Sequence, residues 1–416
     1  MTADDSTLRT RAGRSPTRAL LVRVLVVVLG LALFGTAAVS VRPLARDSRV
    51  APDFIQFWTA ATLLAAGRSP YDAEGQAAIQ RELGWRKDVE GLGRYDFLPY
   101  YYPPWLGLAT EALLPLGYPG ARAAWLALNA LALVGAALLL RGTARGVPPL
   151  AVVSFVVFFA PAVVAVLMGQ VAPLVLLTVV GAWRLLDRRS DLGAGVLLAW
   201  LTIKPQLTIV LVVALLAWSI RRRRWHVPLG FAAALGAFVI ASSLVAPSWF
   251  SAMLAATSAT ELPSYAFPWT GTTVFAILQT AGLRGAALWL CYLAAALPVV
   301  VAVARVALGA RGRLDTLFGL GLLAPFFVAT YARHYDFPIL LVPALIVLAR
   351  GSRRAGAALL AALLVLPYAH LALFAQMAAW CRVPAFPGPQ VTYFWIPLFI
   401  AIGWLARTRG ETPSSA

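Results

Sequence analysis

Four short polar motifs interrupt an otherwise apolar sequence, and each carries a group able to move a proton or hold an anion. They are P-D-F with Asp53, M-G-Q with Gln170, K-P-Q with Lys204 and Gln206, and R-H-Y-D with Arg333, His334 and Asp336. An ionisable side chain at membrane depth is costly unless it is paired or faces a water-filled cavity, so such residues mark candidate sites. A carboxylate such as Asp53 can accept the proton of an attacking hydroxyl. Lys204 is one of only two lysines, the other being Lys87. A compact ammonium at a helix break suits a phosphate, whose attraction strengthens away from bulk water; the plainer role is to cap a half-helix and snorkel to headgroups. His334, between Arg333 and Asp336, has a carboxylate two residues away and could relay a proton or donate to a phosphate oxygen. Asp96, just ahead of the tyrosines, rivals Asp53 as the base. Tyr100, Tyr101, Tyr102 and Trp105 could stack on a sugar ring, although an interfacial aromatic belt predicts the same residues. His226 follows an arginine cluster and His370 lies in an apolar run, and both read as structural.

The elements that must position these groups are set by composition. At 61% hydrophobic and 12% charged, with a mean hydropathy of +0.79, the chain has too little polar surface to cover a soluble globule. The net charge of +18 falls in short basic clusters between apolar runs, as cytoplasmic loops require, which argues against a nucleic-acid partner. There is no Walker loop, no G-x-G-x-x-G after a strand and no His/Cys cluster, so no cofactor and no metal site are indicated, with a divalent ion left open. Cys291 and Cys381 are far apart beside apolar runs and form no disulfide framework.

These features predict an all-α polytopic membrane protein. Residues 1–18 form an Arg-rich cytoplasmic tail, 19–410 one integral-membrane domain and 411–416 a cytoplasmic tail. Leu20–Val41 is the first span, which sends 42–118 outside as a large loop. That loop holds eight of the 17 acidic residues in or just before Val50–Pro104, an amphipathic helix from Phe54 to Gly67, and a short apolar piece, Pro103–Pro115, read as re-entrant or interfacial. Basic clusters then order the later runs into about twelve spans in all. Leu192–Ile220 has basic flanks at both ends and Lys204 near its middle, so it is either a hairpin of two short helices or one Pro-kinked helix, the charge rule favouring the hairpin.

The order of motifs, P-D-F, A-x-x-L-x-x-G-R-S-P-Y-D, Y-Y-Y-P-P, M-G-Q-V-A-P-L-V-L-L, A-G-V-L-L-A-W-L-T-I-K-P-Q and R-H-Y-D, resembles glycosyltransferase family 87 of the GT-C superfamily over about residues 50–350. The resemblance implies a GT-C-like fold and an inverting transfer of mannose or a pentose such as arabinose. The donor would be a polyprenyl-phosphate sugar, the acceptor a glycolipid or polysaccharide, and the site would face outward from the plasma membrane. It implies Asp53 as general base and Lys204, His334 and Arg333 around the donor phosphate, with Asp96, Tyr102, Gln170, Gln206 and Asp336 as further substrate-binding positions. The asparagine that the family carries after G-Q is replaced here by Val171-Ala172-Pro173. The rival reading is a secondary transporter or a flippase for lipids or lipid-linked sugars, since broken helices with a midplane lysine also mark transport sites.

Overall fold

A computed structural model of the chain describes residues 35, 39, 50–85, 97–144, 147–258, 268–310, 312–350, 353–381 and 390–408. Apart from Gly35 and Val39, the expected first span lies outside the described residues, as do both tails and Asp96. Within them every regular element is helical. Three helices fall within the segment expected as the large loop: α1 (Phe54–Ala65), α2 (Ala73–Glu82) and α3 (Pro104–Glu111). Then come α4 (Gly117–Leu140), α5 (Pro149–Phe158), α6 (Ala160–Met168), α7 (Ala172–Asp187), α8 (Asp191–Trp200) and α9 (Pro205–Arg221). The remainder comprises α10 (His226–Val245), α11 (Trp249–Ser258), α12 (Val274–Thr280), α13 (Gly285–Leu308), α14 (Leu314–Leu323), α15 (Pro325–Val328), α16 (Leu341–Ala349), α17 (Arg353–Cys381) and α18 (Trp395–Thr408).

Proline explains why so many of these helices are short. It stands in the first turn of α3, α5, α6, α7, α9 and α15, where its missing N–H costs nothing and its fixed φ starts a new helix. Three described helices, Leu114–Leu140, His226–Val245 and Gly285–Leu308, are long and apolar enough to cross a bilayer, or four if the pair Pro149–Phe158 and Ala160–Leu167, bent by 49°, counts as one span. Among the described residues, length and composition therefore do not reach the expected twelve; of the shorter apolar helices, α9 with 17 residues reaches only about 26 Å at 1.5 Å per residue. α3, at eight residues, is too short to span and packs on α1.

The long helices differ in what they face. Along α10 and α13, large apolar side chains such as Leu244, Ile240, Leu290 and Leu297 stand exposed, as expected of surfaces that meet lipid. α4 is mostly buried and threads the centre. α8 and α10 cross with their backbones in contact: a Cβ on Gly195 would lie 2.2 Å from the Val227 carbonyl oxygen, and one on Gly230 would lie 2.3 Å from that of Leu192. Close approach through small residues is how helices associate where burial from water gives no drive.

Hydrogen bonds between distant segments define two ends of the bundle. At one end Arg184 donates to Leu139 O (3.1 Å), Arg222 to Ala310 O (3.0 Å) and Arg350 to Asp315 (3.0 Å). Arg224 there donates to Asp191 (3.0 Å). Because the start of α8 and the end of α9 meet in that pair, the run between them leaves and returns, and Lys204 is the tip of a hairpin. The alternative of one kinked helix is excluded. At the other end, Thr272 N donates to Ala332 O (2.8 Å) and Ala51 N to Leu167 O (2.6 Å). α7 links the two ends, about 24 Å apart along its axis.

Candidate active site

The site is assembled where α6 ends. Gly169 follows α6 in the left-handed conformation, φ +72°, with its N–H returned to Val166 O (2.9 Å), a typical αL stop. The turn presents its carbonyls outward: Met168 O accepts from Asp53 N (3.1 Å) and Gly169 O from the Trp125 indole (2.7 Å). M-G-Q therefore clamps A-P-D-F against α4. A Cβ on Gly169 would sit 2.9 Å from the Ala51 Cβ and 3.1 Å from its Cα. Gly169→Ala is expected to cost about 1–2 kcal/mol for the left-handed backbone and about 1–3 kcal/mol for overpacking. Thermal unfolding in lipid nanodiscs checks this, and an unchanged midpoint would show that the clamp is not tight.

From the clamp a chain of polar contacts runs across the site. The Gln170 amide N–H donates to the Asp53 carboxylate, while the Gln170 carbonyl oxygen accepts from the Tyr102 hydroxyl (3.1 Å) and the Lys204 ammonium (3.2 Å). Lys204 then forms an ion pair with Asp336, whose second oxygen accepts from the Arg333 backbone N–H (2.9 Å). Lys204 is 3% exposed and Asp336 fully buried. The ammonium also lies over the Tyr335 ring at 5.2 Å and the Tyr102 ring at 5.8 Å. The Arg333 guanidinium donates through Nε to the Tyr331 hydroxyl.

Electrostatics sort the groups around Asp53. Burial pushes the Asp53 carboxyl above its ordinary value, against the Gln170 hydrogen bond and the nearby charges of Arg333 and Lys204, which favour the ionised form. Burial also pushes the Tyr102 phenol up to about 12, so it remains a donor to Gln170. The assembly thus offers one carboxylate of raised basicity and two cations within its field.

The structure brings together Asp53, Tyr102, Gln170, Lys204 and Asp336, with Arg333 beside them. Gln206 is half-buried on the first turn of α9, outside this chain of contacts. His334 departs from expectation. Its Nδ1 meets the Gln390 side-chain oxygen (2.9 Å) and its ring stacks on Tyr393 (5.2 Å), while Asp336 is held by Lys204. His370, which read as structural, stacks on Tyr393 at 3.9 Å and accepts from the Trp395 indole (3.1 Å). Sequence reasoning missed Gln390 and Tyr393; the only signal was the polar run Gln390-Val391-Thr392-Tyr393 just before the last helix. Tyr100 is not available to a sugar, since its hydroxyl donates to Pro103 O (2.7 Å) and accepts from Gly107 N (3.1 Å) in the core. Trp105 packs on Phe238 and Trp249. Among the described residues no group of three His, Cys, Asp or Glu could hold a metal ion.

An all-helical, lipid-facing chain with a carboxylate and paired cations joined at one end defines a membrane protein with the makings of a transfer enzyme. The model of glycosyltransferase family 87 matches residues 100–332, more than half of the chain, and the chain belongs to that family. It is a glycosyltransferase, which decides between enzyme and transporter. No curated protein and no solved structure matches it. The matched region contains Tyr102, Gln170 and Lys204; Asp53 and the R-H-Y-D motif lie outside it and join through the contacts above.

Proposed function

We propose that this enzyme moves a sugar, mannose or a pentose such as arabinose, from a polyprenyl-phosphate donor to a hydroxyl of a glycolipid or polysaccharide acceptor at the outer face of the plasma membrane. The continuous chain of contacts from Asp53 through Gln170 and Lys204 to Asp336 carries this reading, because it joins four motifs that the sequence scatters over nearly 300 positions. The other end supports the outward face: Arg184, Arg222, Arg224 and Arg350 gather there, and basic ends tend to stay cytoplasmic. The shorter apolar helices would complete a polytopic bundle beyond the three or four clear spans.

In the proposed step the acceptor oxygen attacks the anomeric carbon opposite the phosphate. The bond from that carbon to the phosphate oxygen breaks, the new glycosidic bond forms with inversion, and the acceptor proton passes to Asp53. Asp53 and Asp336 balance Lys204 and Arg333 before reaction. As Asp53 takes the proton the cluster becomes net positive, while the leaving phosphate goes from one negative charge to two. Stabilisation is therefore strongest where charge develops, which is the requirement for electrostatic catalysis. Arg333 and the N–H of Lys204 not used by Asp336 and Gln170 would receive that phosphate. Tyr102 and Gln170 would fix the Asp53 carboxylate. His334, whose Nδ1 meets Gln390, would support the R-H-Y-D segment.

Incubating the enzyme in nanodiscs with a panel of radiolabelled polyprenyl-phosphate sugars tests the reading, and no transfer from any of them would refute the donor class. Since Asp53 must be ionised to act, activity is lost as pH falls through its raised pKa. A pH-rate profile should show an acid limb with a midpoint above the ordinary aspartate value of 3.8. A limb at or below that value would exclude Asp53 as the base.

A further inference from the structure

We propose that a cavity at the arginine-rich end, remote from the Asp53 network, binds the phosphate-bearing headgroup of an anionic lipid. The cavity measures about 610 Å³ and is lined by Asp187, Arg189, Arg221, Arg222 and Arg224 together with Trp218. Arg224 is committed to Asp191 and to the Leu186 carbonyl (2.8 Å). Arg222 donates to Gly312 O (2.8 Å) and lies over the Trp218 ring at 5.2 Å. Arg189 and Arg221 make no side-chain hydrogen bond or salt bridge among the described residues. Two exposed guanidiniums thus stand on the wall with one lining carboxylate, Asp187, while Asp191, within the field of Arg189, is already held by Arg224; an anion would satisfy them.

The positive-inside rule accounts for the sign of charge at this end and for nothing more. It does not explain why arginine stands at Arg189, where φ is +61°. That position closes α7 in the left-handed conformation, a place where glycine is free of strain and an L residue loses about 1–2 kcal/mol. The chain keeps a long cationic side chain there, on the wall of the cavity, at the expense of backbone comfort. A soluble anion would need only the guanidiniums. Here the large apolar side chains Ile220 and Leu308 stand exposed beside the walls, at the ends of α9 and α13, which gives acyl chains a path from the headgroup into the bilayer. Basic pockets between helices on the cytoplasmic side are where anionic headgroups are held.

The test compares wild type with Arg189→Gly, Arg221→Gln and the double variant in nanodiscs of phosphatidylcholine alone or with phosphatidylglycerol. Wild type should unfold at a higher temperature when phosphatidylglycerol is present, and the double variant should lose that increase. Arg189→Gly in phosphatidylcholine alone should unfold no lower than wild type, because glycine relaxes the left-handed position. Native mass spectrometry should show phosphatidylglycerol retained by wild type and lost from the double variant. The proposal is overturned if the double variant keeps the full increase, or if inorganic phosphate in phosphatidylcholine nanodiscs raises the wild-type midpoint as much as the lipid does.

Discussion

Asp53→Asn is expected to lower transfer by roughly 10²–10⁴-fold, the usual contribution of a positioned general base, while the protein remains folded. The two halves of this expectation come from the same contact. The Asp53 carboxylate accepts a hydrogen bond from the Gln170 amide, and its backbone N–H is fixed to Met168 O. An asparagine can accept from Gln170 through its own carbonyl oxygen, so packing and backbone bonds survive. What it lacks is basicity, since an amide oxygen does not take up a proton at neutral pH. The unfolding midpoint of the variant should match that of wild type, and the loss should appear in kcat rather than in the KM for the donor. Turnover within a few-fold of wild type would remove Asp53 from the mechanism.

Lys204→Met is expected to destabilise the protein by about 3–5 kcal/mol, because it leaves the Asp336 carboxylate buried without its counter-charge. Lys204 and Asp336 are 3% and 0% exposed, and they hold the tip of the α8–α9 hairpin against the R-H-Y-D segment. The double variant Lys204→Met with Asp336→Leu removes both charges together, and replacement of a buried pair by apolar residues of similar volume is often neutral or stabilising. It should recover most of the stability of wild type in thermal unfolding. Its transfer activity should stay absent, since the cation nearest the proposed leaving phosphate is gone. Recovery of activity along with stability would reduce Lys204 to a structural role. Equal stability of Lys204→Met and wild type would show that the pair does not secure the hairpin.

Asp53, Gln170, Lys204 and the R-H-Y-D motif were legible because each is a polar break in an apolar sequence, and such breaks at membrane depth need a reason. Their pairing was less legible. His334 and Asp336 are two residues apart, which in an extended loop invites partnership. They lie instead in a 3₁₀ helix, His334–Leu340, where three residues make a turn and positions two apart point about 120° away from each other. Asp336 turns to Lys204 and His334 to Gln390. Gln390 itself left little trace, since an amide before an apolar helix carries no charge to single it out. The hairpin could be read because both of its flanks are basic. The number of spans could not be confirmed in the same way, because proline at 149, 161, 173, 205 and 325 restarts helices that hydropathy alone would run together.

The hairpin tip carries one more consequence. Lys204 is reached through α9, whose far end is anchored by Arg224 to Asp191 and by Arg222 to the segment after α13. α9 therefore acts as a ruler, measuring the distance from the arginine-rich end of the bundle to the chemistry at the other. Deleting a single residue within it would draw the ammonium back by 1.5 Å and swing it by about 100°. That is enough to part it from both Asp336 and Gln170. Sequence length between Lys204 and Arg221, more than the identity of the apolar residues that fill it, is what this enzyme must keep.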